Sequence, residues 1–130
     1  MENLSRHEPK ARGLLRIVTS LLFIEHGTQK FFNFPPTDME MNLGGLMLVA
    51  AILETFGGLL MLVGFLTRPV AFVLSGFMAV AYWMAHAPQN FFPVNNGGDA
   101  AILYCFVFLY IVFAGPGPWS LDAICSKRRQ

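Results

Sequence analysis

Few residues of this 130-residue chain are equipped for chemistry, and those few stand in strongly apolar surroundings. Glu54 is the one formal charge between Met41 and Thr67. Glu25, His26, Gln29 and Lys30 stand together at the end of another apolar run. Carboxylate, imidazole and ammonium groups held out of water are the equipment of proton transfer, because each can hold or release a proton at a fixed place. His26 and Lys30 are four residues apart, as are Glu25 and Gln29, so on a helix the four side chains share a broad sector. Glu54 and His26 are therefore the candidate catalytic residues. Other chemistries are excluded. Cys105 and Cys125 form no CxxC and no Cys/His cluster, which leaves no disulfide framework and no expected metal site. A net charge of +1 excludes a basic nucleic-acid binder.

The elements that must position these groups follow from composition. The chain is 55% hydrophobic and 13% charged, against about 25% charged in ordinary soluble domains. No Asp, Glu, Lys or Arg stands between Arg68 and Asp99, or between Asp99 and Asp122. A hydrocarbon core of roughly 30 Å is crossed by about 20 apolar helical residues. Four spans are predicted, at about 14–34, 44–66, 69–86 and 98–116, giving an all-α membrane protein of one domain over 1–130. The first span resembles a signal peptide over Leu14–Ile24, but Glu25-His26-Gly27 is a poor cleavage site, so it is read as a retained helix. Pro35-Pro36 and Gly115-Pro116-Gly117-Pro118 stop helices, and Pro69 suits a first turn. The segment from Pro88 to Gly98 reads as a loop.

Basic residues set the orientation. Of the nine Lys and Arg, all but Lys30 fall in the tails 1–13 and 120–130, at Arg16 near the start of the first span, or in the turn at Arg68. Loop 33–43 has Asp38 and Glu40 without a basic residue, and loop 87–97 has no formal charge. The positive-inside bias is met by an antiparallel four-helix bundle with both termini cytoplasmic. At 1.5 Å per residue, Glu25 is expected roughly 13 Å and Glu54 roughly 15 Å below the outer end of their spans.

Small residues mark the packing faces. Ala50, Glu54, Gly57, Met61 and Gly64 form one helical stripe, and Ala71, Ser75, Ala79, Tyr82 and His86 another; small residues let membrane helices approach closely. Each stripe carries polar groups, which predicts a pocket opening to the outer face. Its expected ligand-binding lining is Glu25, Gln29, Lys30, Tyr82, His86, Asp99 and Tyr104, around Glu54 and His26. Plainer readings stand beside this one. Arg16 is expected to snorkel to the cytoplasmic headgroups, and Lys30 either snorkels outward or serves the pocket. Asp99 is a helix N-cap or a pocket residue. Glu25 and Lys30 form a structural ion pair or do not. Glu54 is functional or an essential internal partner.

The same residues carry a family resemblance. Arg16…His26-Gly27…Lys30 is similar to the opening helix of the DoxX family. Glu54-Thr55-Phe56-Gly57-Gly58 with Gly64-Phe65-Leu66-Thr67-Arg68 resembles its second helix and turn, and Gly115-Pro116-Gly117-Pro118-Trp119-Ser120-Leu121-Asp122 resembles its ending. The likeness covers about residues 12–125 and departs at Glu25, where an apolar or small residue is expected. It implies a four-helix protein of the bacterial inner membrane connected with quinone-linked or other redox systems. A quinone is then the cofactor to expect, and a soluble or membrane oxidoreductase subunit the partner, alongside the lipid bilayer. Two alternatives remain open: a non-catalytic scaffold or assembly protein, possible as a homo-oligomer, and a small proton-coupled exporter in which Glu25 is the key carboxylate.

Overall fold

The computed structural model describes residues 2–128, so Arg129 of the basic tail lies outside the described residues. All regular elements among them are helices. These are α1 (Glu2–Ser5), α2 (Glu8–Phe32), α3 (Leu46–Val63), α4 (Thr67–His86), α5 (Pro93–Asn96), α6 (Asp99–Ala114) and α7 (Leu121–Lys127). Helices α3 and α4 are long and apolar enough to cross a membrane, and α6 is a shorter apolar helix. The chain forms two compact units, one of residues 1–66 with 116–130 and the other of residues 67–115.

In the first unit α2 packs along α3. Gly27 makes the close approach possible: a Cβ there would meet the Thr55 hydroxyl, and Thr55 N at 2.6 Å. Phe23, Ala51 and Met61 form the apolar core of this unit. The chain leaves α3 through Gly64, whose φ of 66° is costly for any residue with a Cβ. A Cβ on Gly64 would also collide with Ser120. The segment after Pro116 therefore seats directly against the end of α3. Asp122 N donates to Gly64 O at 2.9 Å, and Leu66 N donates to Asp122 Oδ1 at 3.0 Å. Ser120 caps α7, its Oγ accepting from Ala123 N at 3.2 Å.

In the second unit α4 packs antiparallel against α6. Arg68 Nη1 donates to Val112 O at 2.6 Å and Phe113 O at 2.8 Å, holding the start of α4 against the end of α6. Midway, Ser75 Oγ donates to Cys105 O at 2.9 Å. Ala71, Leu74, Met78, Ala101, Phe108 and Ile111 are buried. Of the first stripe Glu54, Gly57, Met61 and Gly64 are buried and Ala50 is half-buried; of the second Ala71 and Ser75 are buried, whereas Ala79, Tyr82 and His86 are half-buried. Large apolar side chains cover the outside, among them Leu21, Phe56, Phe72, Phe106 and Phe113, as expected of helices whose solvent is lipid.

Candidate functional site

Glu54 sits where α3 changes its winding. Residues Leu53–Gly57 form a single π-helical turn, with α-helix on either side. Such a turn inserts a residue into the hydrogen-bond ladder and re-aims the side chains around it, which is why π turns recur at functional sites. Here it turns Glu54 toward α2. Glu54 Oε2 accepts a hydrogen bond from Lys30 Nζ at 2.6 Å, and the two side chains are 9% and 15% exposed. Lys30 Nζ also donates to His26 O at 3.4 Å, one turn back on α2. An ammonium has three donors, so one N–H remains after these two bonds. Thr55 Oγ1, the next residue along the π turn, is buried with no hydrogen-bond partner among the described residues.

The other expected lining residues divide among three places. Gln29 is half-buried on α2, and its amide donates to Pro35 O at 3.0 Å, holding the chain after the helix. The side chains of Glu25 and His26 are exposed on α2. Lys30 pairs with Glu54 rather than with Glu25. In the second unit, Tyr82 and His86 begin and end another π turn, Tyr82–His86, and their rings stack 6.4 Å apart. Tyr104 is half-buried and stacks on Phe108 at 6.1 Å. Asp99 is exposed in the first turn of α6; the capping position belongs to Gly98.

Two features escaped the sequence reading. Asn96 looked like loop punctuation, yet it is 5% exposed and organises the end of α4. Its Nδ2 donates to Tyr82 Oη at 3.4 Å and to Asn90 O at 2.9 Å, and its Oδ1 accepts from Gly98 N at 2.8 Å. Its carbonyl lies 3.0 Å from His86 Nδ1. The double Asn was the available signal.

Arg16 is the larger surprise, and here the expectation of snorkelling is corrected. Its side chain is wholly buried. Nη1 donates to Met61 O and Leu62 O, each at 2.5 Å, Nε to Pro116 O at 2.9 Å and Nη2 to Trp119 O at 2.8 Å. The carbonyls of Met61 and Leu62 belong to the last turn of α3, where Met61 O also accepts from Gly64 N at 3.2 Å, and those of Pro116 and Trp119 belong to a loop with no ladder of its own. A planar guanidinium with a fixed fork of donors satisfies all four. Trp119 adopts φ 60°, rare for a bulky residue, and its carbonyl is one of the four that Arg16 holds. Headgroups cannot compete with this arrangement. The Gly-Pro-Gly-Pro-Trp-Ser run in the sequence is the other half of it.

Fold and site together describe a helical protein with membrane-capable helices and a buried ion pair beside a π turn. The chain belongs to the DoxX family, whose profile matches residues 12–87. It is 42% identical to an uncharacterized protein of Haemophilus influenzae, over 94% of this chain and 96% of that one. It is 34% identical to the inner membrane protein YqjF of Escherichia coli, over 87% of this chain and 90% of the relative. An uncharacterized membrane protein of Mycobacterium tuberculosis, Rv3486, is 29% identical over 88% and 80% of the two chains. No solved structure matches the chain. Family and relatives make it a membrane protein.

Proposed function

We propose that the chain crosses the inner membrane four times, as the antiparallel bundle expected from its sequence with both termini cytoplasmic, and serves as a subunit of a membrane-associated redox system. The Lys30–Glu54 pair is its proton-handling site, and a quinone is the ligand. One observation carries this reading: an ammonium and a carboxylate 2.6 Å apart, both largely buried, with the carboxylate on a π turn of α3 that faces Lys30 on α2. Charges in such surroundings are costly enough that they mark function. A quinone supplies two-electron redox chemistry and takes up a proton at each carbonyl oxygen on reduction. The donor set suits a carbonyl: Lys30 keeps one N–H, and the Thr55 hydroxyl is buried without a partner among the described residues. Lys30 would hold the carbonyl oxygen, and Glu54 would pass protons to it. Electrons would come from an oxidoreductase partner, since the sequence has no dinucleotide fingerprint.

A second reading, a non-catalytic scaffold, draws support from Arg16, whose four hydrogen bonds serve packing alone. One experiment separates the two. Protein purified from native membranes is expected to carry quinone, visible in the ultraviolet difference spectrum on borohydride reduction. The Glu54→Gln variant keeps the shape of the side chain without an exchangeable acid proton. It is expected to insert in the membrane with a lowered melt, because Lys30 loses its counter-charge, and to lose at least tenfold of the bound quinone or of quinone-linked turnover. A parent without quinone, or a variant that retains it in full, overturns the redox reading. A variant that melts earlier yet keeps both its quinone and its partner proteins supports the scaffold.

A further inference from the structure

We propose that the loop joining α4 to α6, residues 87–98, is a membrane anchor whose aromatic tip lies in the outer lipid interface rather than in water. The inference rests on α4 and α6 spanning the bilayer and is independent of any quinone. Arg68 sets the two helices level at one end. Helix α4 has 20 residues and α6 has 16, which corresponds to about 30 Å and about 24 Å of rise. At the other end α6 therefore stops about one turn short, and the chain must descend toward the hydrocarbon to enter it. The segment that makes this descent carries no formal charge. It presents Phe91, Phe92 and Val94 outward, at 86%, 59% and 77% exposure. The rings of Phe91 and Phe92 meet edge to face at 5.2 Å, forming one wedge.

Backbone groups are what usually keep a loop out of lipid, because each unpaired N–H costs several kcal/mol there. In this loop they are largely satisfied from within. Ala87 N donates to Tyr82 O, Gln89 N to His86 O, and Asn95 N and Asn96 N both donate to Phe92 O. Phe92 N donates to Asn90 Oδ1 and Gly98 N to Asn96 Oδ1. Pro88 and Pro93 have no N–H to satisfy. Trp83 and Met84, near the same end of α4, are exposed as well. Amphipathic segments of this composition settle at the boundary between headgroups and acyl chains. Because Asn96 ties the loop to Tyr82 and His86, the anchor also fixes the π turn of α4 relative to the membrane surface.

The test uses the full chain with Cys105→Ala and Cys125→Ala, reconstituted in phosphatidylethanolamine–phosphatidylglycerol liposomes. A spin label is attached after Phe91→Cys, Phe92→Cys or Val94→Cys. Asp38→Cys in the charged loop 33–45 gives the aqueous reference and Val73→Cys on α4 the hydrocarbon reference. Labels at 91, 92 and 94 are expected to show at least threefold lower accessibility to a water-soluble nickel complex than the label at 38, with oxygen accessibility closer to that at 73. All three being as accessible as 38 overturns the anchor; if 73 still reads as buried in lipid, the spanning helices stand without it. Shielding in native membrane vesicles but not in liposomes also overturns it, in favour of a protein partner. All three replaced side chains are exposed, and a thermal melt equal to that of the unlabelled parent checks that each variant is folded.

Discussion

Arg16 and Glu54 are both charged groups buried in an apolar chain, and they meet the cost of burial in different ways. Arg16 distributes its charge over four backbone carbonyls at the end of α3 and in the loop after Pro116, of which Met61 O also accepts from Gly64 N. Glu54 relies on a single ammonium. Removing Arg16 leaves several buried acceptors unsatisfied, each worth about 1–3 kcal/mol. Arg16→Ala is therefore expected to cost at least about 3–5 kcal/mol, the range for breaking a buried charged network, and to sharply reduce the amount of folded protein in membranes. Arg16→Lys keeps the charge but not the planar fork, and is expected to lie between parent and Ala in a detergent thermal melt. A melt of Arg16→Ala within 2 °C of the parent would show that the four bonds do not hold the C-terminal segment. Sequence alone exposed Glu54, because it interrupts a long uncharged run. It misjudged Arg16, because an arginine near the end of a span reads the same whether it snorkels or turns inward. Only the folded loop shows that the carbonyls are waiting for it.

Helices are legible in a chain like this because lipid imposes length and apolarity on them together. The predicted spans at 14–34, 44–66, 69–86 and 98–116 coincide with the helices α2, α3, α4 and α6, of which α3 and α4 are long and apolar enough to cross a membrane. The two π turns were not legible. A π turn has no residue signature of its own, and hydrophobic periodicity does not detect one inserted residue. Helix α7 was missed because the basic tail looked solvated, although Ser120 begins it with an ordinary cap. Close packing at the π turn of α3 leads to a prediction for the element. Gly27→Ala adds one methyl where the Thr55 hydroxyl and backbone already stand, and both neighbours belong to a helix that cannot yield without unwinding. Overpacking of this kind costs about 1–3 kcal/mol. In the Lys30–Glu54 region the variant is expected to lower both stability and quinone retention. Leu60→Val, at a side chain 36% exposed, is expected to melt within 1 °C of the parent. Equal melts for the two variants would mean that α2 and α3 do not meet at Gly27.

For the whole molecule, the distribution of charge is the strongest constraint. Lys and Arg crowd the two tails and the turn at Arg68, whereas loop 33–45 carries only Asp38 and Glu40 and loop 87–98 carries no formal charge. Basic residues resist translocation, so the tails and the Arg68 turn should stay in the cytoplasm and the two loops should face outward. The loops then differ from one another: Asp38 and Glu40 keep the first in water, while Phe91 and Phe92 draw the second into the interface. A cleavable tag inserted at residues 38–40 is expected to be cut by protease added to intact spheroplasts. Tags at either terminus should be cut only after lysis. A tag replacing part of 87–98 is a poor reporter, since insertion there also disrupts the Asn96 network that holds the end of α4. Cleavage of one terminal tag but not the other in intact spheroplasts would overturn the four-span topology, because an even number of crossings requires both ends on one side, and cleavage of both would overturn the orientation. It would also place Lys127 and Arg128 against the charge bias that orients every other segment of the chain.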